Sequence, residues 1–132
     1  MKYMILMYGT QQDYDAMSGK PGASQEWTPE KLQEMHTYMQ TYHQKLVESG
    51  ELVATHGLTA PVHTRRVQLA DRVPVVTDGP YAETQEVLAG YTIVECATID
   101  RALEIAAGLV NPDAPGEYVD VRPVLDGVED LD

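Results

Sequence analysis

The sequence has few of the residues and segments that mark several large classes of protein. Its single cysteine, Cys96, cannot form an internal disulfide, and its apolar neighbourhood predicts a buried, unreactive thiol. The apolar run at residues 3–8 is too short for the core of a signal peptide and much too short to span a bilayer. We therefore expect a cytoplasmic protein that is not anchored in a membrane.

Basic residues are also scarce. The chain has 9 lysines and arginines against 21 aspartates and glutamates, which gives a formal net charge of -12. Such a surface repels phosphate backbones and anionic headgroups, so we expect no nucleic-acid partner and no membrane surface as a partner. A small-molecule substrate stays open, because a local patch can oppose the global sign.

The strong sequence motifs of cofactor and metal chemistry are missing. The sequence contains no phosphate loop, no dinucleotide fingerprint, no zinc-spaced cysteine set and no Gly-x-Ser-x-Gly elbow, so we predict no cofactor. His36 and His43 lie seven residues apart on a predicted helix, which is an axial rise of about 10 Å. They cannot bind one metal ion together, and we predict no metal site and two partly buried histidines with satisfied hydrogen bonds.

What is present is typical of one globular domain. The chain has 132 residues, 43% hydrophobic and 23% charged. Residues 1–124 form the predicted domain and residues 125–132 an acidic tail. Period and turn signals predict strands at 2–8, 51–58, 88–96 and 118–124, a hairpin of 64–69 with 73–77, a helix from Thr28 to Ser49 and a short helix capped by Thr98. This order predicts an α+β fold, a ferredoxin-like split βαβ with an inserted β-hairpin.

The first strand carries the argument for a homodimer. In the predicted strand 2–8 every residue after Lys2 is apolar, without helical spacing, which is typical of a strand covered on both faces. Helices in a two-layer domain cover only one face, so a second subunit is expected to cover the other. The polar connection at residues 10–27 is long, and we leave open whether it is a lid over a pocket or disordered.

The long helix has clear start and stop signals. Thr28 is the predicted N-cap, with Pro29 at the first helical position and Gly50 after the end. Trp27 and Leu32 have the spacing of a hydrophobic staple. The buried stripe is predicted at Leu32, Met35, Met39, Tyr42 and Leu46.

Two weak constellations could carry acid-base chemistry. His56 lies in a predicted strand next to Gly57, where a neutral imidazole could act as a general base. A strand-end histidine bonded to the backbone is the competing interpretation. The Asp78-Gly79-Pro80 turn presents a carboxylate that either caps the turn or projects into a cleft.

The remaining charged residues have simpler interpretations. Asp120 and Arg122 share one face of the last strand by period-two alternation, and we predict a structural ion pair there. Glu83 and Glu86 are predicted to lie in the acidic first turn of a short helical segment.

The segment Thr77-Asp78-Gly79-Pro80-Tyr81-Ala82-Glu83-Thr84 resembles the signature of the DGPF branch of YCII-related proteins, with Tyr81 at the position usually held by Phe. The resemblance extends from residue 1 to about residue 124. It includes Met1 to Gly9, Gly57-Leu58, Gly90-Tyr91 and Val121-Arg122-Pro123-Val124.

The resemblance implies a dimeric α+β barrel in which two ferredoxin-like sheets pack face to face. The wider superfamily includes small enzymes that act on cyclic acids and lactones, and some members of this branch are similar to partners of extracytoplasmic-function sigma factors. YCII proteins proper have been suggested to use a histidine early in the first helix with an aspartate. That histidine would fall near Met39, so this chain does not match the motif.

Two functional hypotheses follow. In the first, the chain is a cofactor-independent enzyme that isomerises, dehydrates or eliminates from a small carboxylic or phenolic compound. His56 would move the proton, Asp78 would orient it and Tyr81 would bind a substrate oxygen. Tyr8, Gly79 and Tyr91 would complete the substrate site. In the second, the chain is a non-catalytic ligand-binding or regulatory dimer, with a possible link to a sigma factor.

Overall fold

The computed structural model describes residues 1–19, 28–79, 81–114 and 116–127. The predicted acidic tail therefore lies largely outside the described residues. Within them the chain forms, in order, β1 (Lys2–Gly9), α1 (Gln11–Met17), α2 (Pro29–Glu48), β2 (Leu52–Gly57), β3 (Arg65–Ala70), β4 (Val73–Asp78), β5 (Val87–Glu95), α3 (Ile99–Ala107) and β6 (Val119–Pro123). The protein is thus a mixed α+β structure.

Four strands form the main sheet in the order β2-β5-β1-β6, and each pair of adjacent strands is antiparallel. The predicted first strand therefore lies inside the sheet, with β5 on one side and β6 on the other. Both edges of β1 are thus paired by backbone hydrogen bonds, and its apolar side chains point to the two faces of the sheet.

One face of this sheet carries the hydrophobic core. Tyr3 and Ile5 of β1 and Val94 of β5 are buried there against the inner faces of the long helix and α3. The helices contribute Leu46, Ala102, Ile105 and Ala106. Spacings of three and four residues bring the α3 side chains onto one stripe that faces the core.

The opposite face of the main sheet is not covered by these helices, and we call it the open face. Successive residues of a strand point to opposite faces, so Met4 and Leu6 point away from the core formed by Tyr3 and Ile5. Met4, Leu6 and Ile93 are only partly buried. A row of apolar side chains is therefore in contact with solvent at the centre of the sheet.

The long helix has the ends that the sequence predicted. The Thr28 side chain accepts a hydrogen bond from the Lys31 amide, and Pro29 is the first helical residue. Gly50 follows with a φ of 78°, and the Glu51 amide donates to the Leu46 carbonyl. Trp27, the other half of the predicted staple, lies outside the described residues.

A short helix, for which the sequence analysis made no prediction, occupies the first part of the connection at residues 10–27. Residues Gln11–Met17 form α1, which begins with a reciprocal capping box between Thr10 and Asp13. Ala16 is buried, so the helix is fixed by packing as well as by its cap. Residues 20–27 lie outside the described residues.

The predicted hairpin forms a separate two-stranded sheet of β3 and β4. The chain reverses at Asp71 and Arg72, whose φ angles of 49° and 67° are those of a two-residue type I′ turn. Every residue of both strands is exposed.

Candidate functional site

The strand register aligns four side chains in one row across the open face. His56 of β2 pairs with Tyr91 of β5, Tyr91 pairs with Leu6 of β1, and Leu6 pairs with Asp120 of β6. Three strand spacings separate the ends of this row, which is about 14 Å. A histidine and a carboxylate therefore flank an aromatic and an aliphatic side chain.

His56 is exposed, and its ring contacts the ring of Tyr91. The two ring centroids are 5.6 Å apart and the planes are tilted by 59°. The open space predicted beside His56 is present, because a Cβ on Gly57 would meet no atom within 4 Å. Two of the sequence-predicted site residues, His56 and Tyr91, thus lie together on the open face.

Gly90 allows β2 and β5 to approach closely beside this pair. A Cβ on Gly90 would lie 2.9 Å from the His56 carbonyl oxygen and 3.4 Å from the Gly57 Cα. The absence of a side chain at Gly90 therefore helps to set the position of the His56 backbone.

Asp78 ends β4, and its carboxylate pairs with a neighbour in the hairpin. Its Oδ1 lies 3.0 Å from Nε of Arg65, the residue opposite it in the ladder. In the part of the chain that the structure describes, no hydrogen bond or ion pair joins Asp78 to His56. Both members of the Arg65–Asp78 pair are more than half exposed, so solvent screens their attraction.

Gly79 and Tyr81, which were predicted to contact a substrate, lie at the base of the hairpin. The Gly79 amide donates to the Thr64 carbonyl at 2.8 Å, and Gly79 has a φ of 53° that glycine adopts without strain. The guanidinium of Arg66 lies 5.2 Å from the centre of the Tyr81 ring, within the range of a cation–π contact. Pro80 lies outside the described residues.

Tyr8, predicted to bind substrate, belongs to a second cluster on the sheet. Its hydroxyl donates to Asp120 at 2.7 Å, and its ring lies 5.6 Å from that of Tyr118, whose hydroxyl donates to Glu86 at 3.2 Å. The hydrogen bond to Asp120, followed by burial, raises the pKa of Tyr8. The bond to Glu86 likewise raises the pKa of Tyr118. Both phenols therefore stay protonated at neutral pH.

This cluster corrects two expectations. Asp120 accepts a hydrogen bond from Tyr8, and neither Asp120 nor Arg122 forms the predicted ion pair with a neighbouring strand among the described residues. Residues 81–86 do not form the short helix predicted around Glu83 and Glu86. Period-two alternation placed Asp120 on its face, but only the strand order brings it beside Tyr8.

The remaining titratable candidates lie away from the open face. His43 is partly buried, and its Nε2 has no hydrogen-bond partner, which corrects the expectation of a satisfied histidine. Burial lowers the pKa of His43. Cys96 is partly buried next to the core, and burial raises the pKa of its thiol, which disfavours the reactive thiolate.

The described residues contain neither a metal-binding cluster nor a membrane-spanning helix. No group of three histidine, cysteine, aspartate or glutamate side chains in the described ranges could hold a metal ion. None of the helices in these ranges combines the length and apolar character needed to cross a membrane.

Comparison with known proteins identifies the family. Residues 1–126, which include every strand of the main sheet, match the YCII-related domain. An uncharacterised protein of Rhizobium meliloti (strain 1021) is 30% identical over 98 residues, which are 74% of this chain and 79% of that protein. The chain therefore belongs to the YCII-related family.

Proposed function

We propose that this protein is a cytoplasmic homodimer that binds a small carboxylic or phenolic compound against the open face, and that His56 transfers a proton there without a cofactor. The observation that supports the proposal is the exposed His56–Tyr91 pair, which lies beside the partly exposed apolar side chains of the open face. We also propose that the protein belongs to the DGPF branch, on the basis of the segment from Thr77 to Thr84.

The sheet supports the dimeric part of the proposal. The order β2-β5-β1-β6, with α2 and α3 on one face, is that expected of a ferredoxin-like split βαβ with β3 and β4 inserted. The open face leaves Met4, Leu6 and Ile93 in partial contact with water. Two copies packed through these faces would remove the apolar surface from solvent and enclose a cavity between the sheets.

The side chains that lie between His56 and Asp120 across the open face favour the binding of a planar, weakly acidic ligand. An apolar ring can lie against Leu6 and stack on Tyr91, while His56 reaches a hydroxyl or an acidic carbon at the edge of the ring. Histidine is the side chain that exchanges protons most readily near neutral pH, and such a positioned group contributes about 10²–10⁴-fold to rate.

The other candidate residues are proposed to orient His56 or to bind the ligand. For Asp78 to orient His56, its carboxylate must leave Arg65, and an exposed ion pair of this kind contributes only about 0–1 kcal/mol. Tyr81 and Gly79 would border the ligand at the base of the hairpin, and the Tyr8 hydroxyl would be oriented toward the ligand by Asp120.

The test compares His56→Ala with His36→Ala, a matched removal of an exposed imidazole from α2. Benzoate, 4-hydroxybenzoate, phenol and small unsaturated lactones are screened by NMR chemical-shift changes, and each bound compound is then followed for turnover. We expect binding by the wild type and by His36→Ala, and a loss of turnover of at least about 100-fold in His56→Ala.

The outcomes separate the two hypotheses. Equal turnover by wild type and His56→Ala would refute the catalytic role of His56. Binding without turnover in any variant would favour the non-catalytic ligand-binding or regulatory dimer. Asp78→Asn should reduce turnover more than affinity, because orientation of a proton acceptor acts on the reaction step.

A further inference from the structure

The β3–β4 hairpin, residues 65–78, exposes more apolar surface than a structure in water should leave uncovered, and we call it the arm. The exposed fractions are 63% for Val67, 69% for Leu69 and 58% for Val76. Val67 pairs with Val76 and Leu69 pairs with Pro74, so these side chains share one face. The arm therefore presents an apolar face that ends at the Arg65–Asp78 ion pair, while its other face exposes Val73 and Val75.

No other strand among the described residues pairs with the arm. An isolated two-stranded hairpin is at best marginally stable in water, and packing against another element is the usual remedy. Among the described residues, its base is held by a bond from the Gly79 amide to the Thr64 carbonyl, one from the Val62 amide to the Gln11 side chain, and the contact of Arg66 with the Tyr81 ring. These bonds fix where the arm leaves the body and do not cover its apolar face.

The charge of the arm indicates what covers it. Residues 65–78 contain three arginines and two aspartates, so the arm is net positive on a chain whose formal net charge is -12. A basic element on an acidic body is complementary to the body of an identical molecule. A second copy of the chain therefore offers both a surface of opposite charge and, by two-fold symmetry, a reciprocal contact.

We propose that in the homodimer the arm of each copy packs the face formed by Val67, Leu69, Pro74 and Val76 on the acidic body of the other copy. This inference rests on the dimer of the proposed function and adds a second contact to it. The arm begins seven residues after Leu58, whose carbonyl and that of Ala89 both accept from the Tyr14 hydroxyl. It thus leaves the body at the end of the sheet that carries Gly57 and Gly90, next to the His56–Tyr91 pair.

The experiment compares Leu69→Asp with Gln68→Asp, which adds the same charge one residue away on the opposite face of β3. Both positions are exposed, so both variants are expected to fold, and far-ultraviolet circular dichroism checks this. Sedimentation equilibrium should give a dimer for the wild type. We expect the dissociation constant to rise at least about 30-fold in Leu69→Asp and to change by less than about 3-fold in Gln68→Asp.

Hydrogen exchange supplies the second measurement. The amides of residues 65–78 should exchange more slowly in the dimer than in the monomer obtained by dilution, because a covered hairpin opens to solvent less often. A wild-type dimer that Leu69→Asp leaves intact, or an arm that exchanges equally fast in both states, overturns the arm contact and leaves the dimer through the open face standing. A wild type that stays monomeric overturns both, whereas ligand binding and the His56 variants test the site independently.

Discussion

Gly90 offers the sharpest test of how the sheet positions His56. In Gly90→Ala the new Cβ would lie 2.9 Å from the His56 carbonyl oxygen, which is backbone and cannot rotate away. Overpacking of this kind costs about 1–3 kcal/mol, and the lower entropy of alanine in the unfolded chain returns about 0.5–1 kcal/mol. We therefore expect the free energy of unfolding to fall by about 0–2.5 kcal/mol.

Gly57→Ala is the matched control, because Gly57 and Gly90 are directly paired. A Cβ on Gly57 meets no atom within 4 Å, so only the entropic gain remains and this variant should be stabilised by about 0.4–1 kcal/mol. Urea unfolding followed by far-ultraviolet circular dichroism measures both changes. Gly90→Ala should also weaken ligand binding, since β2 must move away from Tyr91. A Gly90→Ala protein as stable as Gly57→Ala would refute the argument that close strand approach holds His56 in place.

Two further predictions concern the body of the domain. Glu51→Gln should lower the free energy of unfolding by about 1 kcal/mol, because Glu51 accepts two 2.8 Å bonds from the partly exposed Arg101. The bonds from Arg101 and then Ser49 lower the pKa of Glu51 to about 2. The stabilisation by Glu51 is therefore complete above the unfolded pKa near 4.5 and is lost as the pH falls toward 2. Urea unfolding measured across this pH range should show that loss in the wild type and not in Glu51→Gln. Ile105→Ala, at a side chain only 1% exposed, should cost about 2–5 kcal/mol in the same urea assay, whereas Leu103→Ala, 48% exposed on the same helix, should change stability by no more than about 0.5 kcal/mol. Equal losses in these two variants would contradict the assignment of the α3 core face.

Most elements of the fold follow from local signals in the sequence. The helix from Pro29 to Glu48 begins and ends where its cap, its first proline and Gly50 predicted. The strand predicted at 88–96 is found at Val87–Glu95. These segments are long and strongly patterned, so tertiary contacts reinforce what local preferences already favour.

The helix α1 was not predicted, because the average composition of residues 10–27 is polar and contains several helix-breaking residues. Glycine, serine and proline in its second half concealed a local signal in the first, where Thr10 and Asp13 have the spacing of a reciprocal cap. Ala16 then buries a small side chain that hydrophobic periodicity weights only weakly.

The partner of Asp78 was accessible from the sequence. A two-residue turn at Asp71 and Arg72 fixes the register of the hairpin, and counting outward from that turn places Arg65 opposite Asp78. Arg65 therefore competes with His56 for the Asp78 carboxylate. Any role for Asp78 in proton transfer begins with the exchange of one partner for the other.

The position of His56 could not have been derived by alternation, and the reason is a bulge in β2. Leu52 pairs with Val94 on the core face, and regular alternation would place both Ala54 and His56 on that same face. The register shifts between Leu52 and Ala54, so Thr55 turns inward to share a 2.8 Å hydrogen bond with the buried Thr92. His56 is thereby turned to the open face beside Tyr91. An extra residue in one strand thus moves the imidazole from the core to the surface where a ligand could meet it, as bulges near functional sites commonly do.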